Sequence, residues 1–321
     1  MKHKVLLIGL GQVGMGYDFD VADPGAVSSH ARAFGNHPDF ELAGGVDPNI
    51  AACARFQERY GVWAGSDLAE GLATLRPDVV VVAVPTQHHA EVVSMALRHA
   101  KPRLILCEKP LAYTLDEATA MVAACRDAGC LLYVNYLRRV EPGVLEVSRR
   151  LKDGRIATPL KGVLWYTKGL LHNGSHFSNL LEFWLGPIEK FTVINSGRIL
   201  GDLDIEPDVQ VTFAFGEVTF LAAKEEHFSH HEIHLVSPNG FLRYEQGGAK
   251  IQWQTVSPDV DFPEYKVLSQ PAEIILTDGH RLQWHVTDNV SACLSGKPSN
   301  LCSGADALNT LESLLEMKAA L

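Results

Sequence analysis

Six residues constrain this chain more than any others. Gly9-Leu10-Gly11-Gln12-Val13-Gly14 is a GxGxxG run that directly follows the apolar segment Lys4–Ile8. After a strand, the first glycine of such a run permits a tight turn, and the second lets the backbone approach a pyrophosphate. The third lets helix and strand pack closely, with the helix N-terminus facing the phosphates. Alone the run is weak, and its surroundings are what strengthen it. Phe40–Val46 is a second apolar run, ending at Asp47. Asp78–Val84 reads DVVVVAV, a β-branched run of the kind buried on both faces of a parallel sheet. Arg103–Cys107 and Leu131–Asn135 continue the series, and the pattern between strands predicts helices over Ile50–Tyr60, His88–His99 and Leu115–Ala128. This alternation predicts a parallel sheet with helices on both faces.

The pattern then changes. Pro142–Lys152 reads as a helix, Leu160–Thr167 as a strand, and Ser175–Leu185 as a helix with Ser175 as its N-cap. From Ile188 to about Trp253 successive strands are punctuated by hairpin signals, Phe215-Gly216-Glu217 and Pro238-Asn239-Gly240, which predict an antiparallel sheet. A last helix is expected over Ala305–Ala320, with leucines at 308, 311, 314 and 315. At 321 residues the chain is long for one core and comfortable for two domains. The expected class is α/β: a doubly wound N-terminal Rossmann domain over residues 1–128 and an α+β domain over residues 129–321, the boundary falling near Gly129.

Several function classes are disfavoured. A formal net charge of -10 is a poor basis for wrapping nucleic acid, which needs Lys and Arg to displace counterions. No run of 18 or more apolar residues is present, so no transmembrane helix and no membrane partner is expected. The apolar run Val5–Ile8 is too short for a signal peptide and is broken at Gly9 and Gly11. The six cysteines (53, 107, 125, 130, 293 and 302) are scattered without a CxxC pair, as in a reduced, cytoplasmic protein.

Residues at strand ends define a site. Asp47 ends the second strand, where a carboxylate accepts hydrogen bonds from ribose hydroxyls and repels a 2′-phosphate, favouring NAD over NADP. It lies 33 residues after Gly14 rather than about 20, and the excess sits in Tyr17–Val27, which reads as an inserted loop. Pro85-Thr86 and Glu108-Lys109-Pro110 follow the runs Asp78–Val84 and Arg103–Cys107. In a doubly wound sheet the carboxyl ends of the strands form the ligand crevice, so Gly11, Asp47, Pro85, Thr86 and Lys109 should line one cleft.

Taken together, GLGQVG, GVDP, AVPTQHH, CEKPLA and GSHFSNLLEFWLG resemble the Gfo/Idh/MocA oxidoreductase family, over the Rossmann half and on to about residue 186. The resemblance implies a Rossmann domain followed by an α+β domain whose large, mostly antiparallel sheet offers a face for oligomer contacts, as homodimer or homotetramer. It implies NAD as cofactor, with NADP the second candidate, held by Gly9, Gly11, Gln12, Val13, Gly14, Asp47, Pro85, Thr86, His89, Glu108 and Lys109. The implied substrates are sugars, polyols or nucleotide-linked sugars. In the family the EKP lysine, here Lys109, lies near the nicotinamide and the reacting hydroxyl, and a cis peptide bond often precedes the proline, here Pro110.

The chemistry can also be argued from the residues. Hydride leaves a carbinol carbon more readily as its hydroxyl loses a proton, which requires a base and a cation beside the developing oxyanion. Lys109 is the expected cation. His176, matching the family histidine, is the expected base in oxidation and acid in reduction. Two positions depart from the family pattern: His172 stands where many members carry aspartate, and Asn179 where many carry a second. Either His172 takes over as polar partner, or His176 works alone, or the reaction differs. Asn173 joins these histidines as an expected substrate contact, and Lys168 as the ligand of an anionic group. Arg138 or Arg139 is expected to hold a substrate carboxylate or phosphate, or to form an ion pair tying the two domains.

His227, His230, His231 and His234 cluster in sequence. On a strand, His230, Glu232 and His234 would share one face and His231 the other. Alternating polar residues equally describe a half-exposed strand, and no metal is expected. The leading expectation is a dehydrogenase of sugar-like alcohols. A glycosidase using tightly bound NAD and a non-enzymatic dinucleotide sensor are the alternatives.

Overall fold

In the computed structural model, which describes residues 2–23, 25–201 and 203–320, the chain divides into two compact units. One comprises Met1–Val140 with His280–Asn309, the other Glu141–Gly279 with Thr310–Leu321.

The first unit is built on β1 (His3–Ile8), β2 (Phe40–Val46), β3 (Trp63–Gly65), β4 (Val79–Val82), β5 (Leu104–Cys107) and β6 (Leu131–Val134). These strands lie parallel in the order β6-β5-β4-β1-β2-β3, the doubly wound Rossmann arrangement. Val79 to Val82 are fully buried, as the continuous β-branched run requires when helices cover both faces. The helices are α1 (His30–Asn36), α2 (Ile50–Tyr60), α3 (Leu68–Leu75), α4 (His89–His99) and α5 (Leu115–Asp127). Asn49, Asp67 and Thr114 cap α2, α3 and α5 through side-chain oxygens that accept backbone N–H groups.

The expected boundary near Gly129 does not hold. β6 extends the parallel sheet beyond it, and α8 (Leu282–Leu294) buries Val286, Val290 and Leu294 in the first unit's core, alongside Val5, Phe34 and Phe40. The two-residue strand β16 (Cys302–Ser303) pairs antiparallel with β6 and closes that edge.

The second unit contains α6 (Pro142–Lys152), β7 (Leu160–Tyr166), α7 (Ser175–Leu185), β8 (Ile188–Leu200), β9 (Asp204–Phe213), β10 (Gly216–Ala222), β11 (Glu232–Ser237), β12 (Gly240–Glu245), β13 (Lys250–Pro258), β14 (Lys266–Leu268) and β15 (Glu273–Ile275). The division between the units falls within α9 (Gly304–Ala319). The strands form a nine-stranded sheet, β14-β13-β12-β11-β7-β10-β9-β8, with β15 also on β13. It is antiparallel except where β7 pairs in parallel with β10. Helix α7 packs on this sheet through Phe177 and Trp184, whose rings meet Tyr244 edge-on, and the Trp184 indole donates to the Val144 carbonyl of α6.

Ser175 does not cap α7. The preceding residues Gly169–Gly174 already coil in a wide turn that runs into the helix, so its first amides have helical partners upstream, and the Ser175 hydroxyl turns back to the His172 carbonyl.

Candidate active site

The three glycines of the first turn do three different things. Gly9 has φ +96°, and a side chain there would stand 2.4 Å from the Ala83 carbonyl oxygen at the end of β4. Gly14 abuts the Gly9 carbonyl, which a Cβ would approach to 2.1 Å. Gly11 is exposed, and a Cβ there would meet nothing within 4 Å. The turn is thus tight at its ends and bare in the middle, the shape that backbone approach to a pyrophosphate requires. The helix expected to start directly at this turn is interrupted. Gln12–Gly16 forms one wide turn, and helical structure resumes only at His30. As at any helix start, the opening amides of the wide turn have no partner inside it.

Asp47 is half-buried at the end of β2 and does more than begin a turn. One carboxylate oxygen accepts the Leu10 amide of the glycine run at 2.7 Å, the other the Asn49 amide at 2.8 Å. A carboxylate offers about four lone-pair sites, so each oxygen keeps capacity for a ribose hydroxyl. Gly11, Asp47, Thr86 and Lys109 follow β1, β2, β4 and β5 and stand at the same, carboxyl, edge of the sheet. Pro85 is exposed there, Thr86 and Lys109 are half-buried, and the Lys109–Pro110 bond is cis.

Two expected cofactor contacts are turned inward. His89 is 1% exposed, its ring nitrogens against the carbonyls of Val84 at 3.0 Å and Leu111 at 3.1 Å. It braces the loops after β4 and β5 to one another, and burial holds its imidazole below the usual histidine range. Glu108 directs one oxygen, Oε1, to His30 Nε2 at 2.8 Å and to the Asn135 amide at 2.7 Å. Burial alone would raise its carboxyl; the His30 bond, the Asn135 amide and nearby Lys109 outweigh that and hold it below the ordinary glutamate value.

Arg139 pairs with Asp306 at 3.1 Å, and both belong to the first unit, so this ion pair does not tie the units together. Arg138 stands half-buried on the same turn.

In the second unit, the wide turn carrying His172 and Asn173 is held from β9. Asp204 accepts the amides of Leu171, His172 and Ile205 at 2.8–2.9 Å, and Glu206 accepts that of Gly169 at 3.1 Å. His172 is exposed, whereas His176, on the first turn of α7, is 7% exposed. Asn179 faces the core and donates to Thr310 at 2.9 Å.

Lys168 is paired with Glu225 at 2.8 Å. Glu225 accepts the Thr167 hydroxyl, Thr167 meets His231 Nε2 at 3.1 Å, and His231 meets Asn173 at 2.7 Å while stacking on Phe177. The charge expected for an anionic substrate is therefore engaged in a network that braces Asn173. Sequence reasoning missed Asp204, Glu206 and Thr167. Alternation at 204 and 206 was their one local signal, placing both on one strand face.

The strand expected to align His230, Glu232 and His234 begins only at Glu232. His230 packs instead on Trp165 and Phe228. Glu232 and His234 share a face with Glu245 of β12, and Lys250 pairs with Glu245 at 2.8 Å.

The strand order, the glycine turn and the carboxylate after β2 define an NAD-binding Rossmann domain. Residues 4–136 match the profile of the GFO_IDH_MocA family, described as an oxidoreductase family with an NAD-binding Rossmann fold. The match covers the Rossmann part of the chain, less than half of its length.

Among curated relatives, D-apiose dehydrogenase of Paraburkholderia graminis is 33% identical over 157 residues, 49% of this chain and 38% of that protein. The NAD(+)-dependent scyllo-inositol 2-dehydrogenase of Bacillus subtilis is 30% identical over 162 residues, 44% of this chain and 45% of that protein. The chain thus matches less than half the length of these relatives. Solved structures extend the likeness in fold to the whole chain. The WlbA dehydrogenase of Bordetella pertussis, in complex with NADH and UDP-GlcNAcA, superposes with a TM-score of 0.76 at 18% identity, covering 99% of this chain and 96% of that one. An oxidoreductase of Agrobacterium radiobacter, in complex with NAD+, L-tartaric acid and magnesium, gives 0.74 at 21% identity, covering 100% and 97%. No helix among the described residues is long and apolar enough to cross a membrane.

Proposed function

We propose that this protein is an NAD-dependent oxidoreductase that moves a hydride between the nicotinamide and a hydroxyl- or keto-bearing carbon of a sugar, polyol or nucleotide-sugar-like substrate. The observation that carries the reading is the convergence, at one edge of the first sheet, of bare Gly11, Asp47, Thr86 and Lys109. Their donor set fits a dinucleotide: a backbone turn without side chains for the pyrophosphate, a carboxylate for ribose hydroxyls, and an ammonium beside the reacting end. When bound, the cofactor supplies the hydride acceptor or donor.

The chain's own residues supply the remainder. Lys109 offers positive charge to the oxygen that loses or gains a proton, lowering the energy of the alkoxide-like transition state. His176 takes the hydroxyl proton in oxidation and returns it in reduction. His172 and Asn173, at the turn fixed by Asp204, provide polar contacts to the substrate, and Arg138 a further one. Relatives named as dehydrogenases of apiose and inositols, and a structural neighbour solved with UDP-GlcNAcA, support the substrate class. We place the enzyme in the cytoplasm as a homodimer or homotetramer.

Calorimetric titration with NAD(H) and NADP(H), followed by a panel of sugars, polyols and nucleotide sugars read at the NADH absorbance, tests the proposal. NAD(H) binding with turnover of one class is expected, and Lys109→Ala should then lose turnover while still binding NADH. Absence of dinucleotide binding, or binding without turnover across the panel, would overturn it. Unchanged turnover in His176→Ala would remove His176 as the base.

A further inference from the structure

The segment between the glycine turn and α1 looks in sequence like a surface insertion. In the structure it is a frame. Asp18, 1% exposed, accepts the amides of Ser28 and Ser29 and the Ser29 hydroxyl. The Arg32 guanidinium donates to four carbonyls of the same segment, those of Asp18, Val21, Asp23 and Ala26. Ser29 then caps α1 by accepting the Arg32 amide. All of this fixes the first residue of α1, His30, whose ring is 1% exposed and directs Nε2 to Glu108 Oε1 at 2.8 Å. His30 Nδ1 is buried with no hydrogen-bond partner among the described residues. The imidazole therefore has one polar task, and its proton belongs on Nε2, because an N–H at Nδ1 would be a buried donor without an acceptor.

Asn135, also 1% exposed, donates to the same oxygen at 2.7 Å and stands within 3.4 Å of Gln283 Oε1. Two buried donors thus converge on Oε1 of Glu108. The Glu108 side chain as a whole is 13% exposed. Among the described residues no arginine neutralises this carboxylate. The charged or titratable groups that face it are His30 from α1, the adjacent Lys109, His89 from α4 and the Cys107 thiol of β5.

We propose that His30 is a positioning residue: by clamping one oxygen of Glu108 it keeps a carboxylate at the carboxyl end of β5, beside Lys109. This rests on the proposed function, in which Lys109 is the cation of the proton-transfer step. An anion fixed next to that lysine favours its ammonium form and limits where the amine can settle. A buried carboxylate deprived of its imidazole partner holds its proton more tightly, because desolvation is then opposed only by the Asn135 amide and Lys109.

The test uses the full chain carrying [13Cδ]-glutamate, with the Glu108 carboxyl resonance assigned by its loss in Glu108→Gln. In the wild type that resonance should titrate below the ordinary glutamate value. In His30→Phe it should move up by about one pH unit or more, while His30→Gln, which can still donate from near the Nε2 position, should stay close to the wild type. With the substrate that the panel identifies, the acid limb of kcat/KM should move up by the same amount in His30→Phe. At a pH below both limbs kcat/KM should be about tenfold lower than in the wild type, with the NAD+ dissociation constant changing less than about threefold. A Glu108 resonance that His30→Phe leaves in place overturns the clamp. Should His30→Phe fail to fold, His30→Asn, which is polar but cannot reach, must show the upward move, and its absence overturns the clamp equally. A shifted resonance with an unmoved acid limb reduces His30 to a structural role. A wild type without turnover on any panel member overturns the proposed function instead, a result read independently of the carboxyl titration.

Discussion

Asp47 is the most informative single change, because its carboxylate has one task inside the protein and, in the proposed function, another toward the cofactor. Asp47→Asn keeps the size and one acceptor oxygen but removes the charge. Both oxygens of the native residue accept a backbone amide, Leu10 at 2.7 Å and Asn49 at 2.8 Å. The amide can satisfy one of them and presents an N–H to the other. A hydrogen bond to a charged group contributes about 1.5–3 kcal/mol, and half-exposure puts this one at the low end, so the variant should lose about 1–2 kcal/mol of stability. It should remain folded. The loss of one charged acceptor for the ribose weakens NAD by about 1.4 kcal/mol, roughly tenfold. For NADP the change has the opposite sign. Removing a negative charge near a 2′-phosphate relieves a repulsion of about 1–4 kcal/mol at an effective dielectric between water and a protein surface. The ratio of NADP to NAD dissociation constants should therefore fall by at least about fiftyfold. Paired calorimetric titrations of wild type and Asp47→Asn measure it directly. A ratio that stays within about threefold of the wild type, in a folded variant, would place the ribose away from Asp47 and refute the reasoning.

The same geometry sets other outcomes. Gly14→Ala brings a Cβ to 2.1 Å from the Gly9 carbonyl, so the glycine turn must open; NAD+ binding should be lost while circular dichroism still shows the fold. Asp204→Ala leaves the amides of Leu171, His172 and Ile205 without their acceptor and should cost about 2–4 kcal/mol in urea unfolding. The carboxyl of Glu108 lies lower in the folded chain than in the unfolded one, so the stability it contributes is complete above the unfolded value and is lost as pH falls through the folded value. Urea unfolding at pH 7 and in steps below pH 5 should accordingly show a smaller acid loss in Glu108→Gln than in the wild type.

The legible parts of this molecule were those set by local pattern. The valine run of β4, the extents of α2 and α6, and the turn signals between β9 and β10 and between β11 and β12 all fell where the sequence indicated. The three glycines could be assigned roles because each role is a backbone property. What escaped depends on partners distant in the chain. Val286, Val290 and Leu294 recur at helical spacing, yet nothing local says that their helix completes the first core. Short α1 and α3 carry too few turns for a period to stand out, and the parallel pairing of β7 with β10 leaves no trace in either strand. His89 and Glu108 sit in motifs at a ligand-facing edge, but side-chain direction, decided by the carbonyls and imidazole around them, took both inward.

The discontinuous first unit has a consequence for how the protein is made. Its core is incomplete until residues 280–309 are available, because α8 and Leu301 fill it and β16 closes its sheet edge. On the ribosome the dinucleotide-binding half, although synthesised first, must wait with an apolar face and a strand edge uncovered while the whole intervening unit emerges. Domains that are continuous in sequence fold as they leave the exit tunnel. Here residues 280–309 gate residues 1–140, so premature termination before α8 should yield a nascent chain whose N-terminal part depends on chaperones rather than one that carries a finished Rossmann domain.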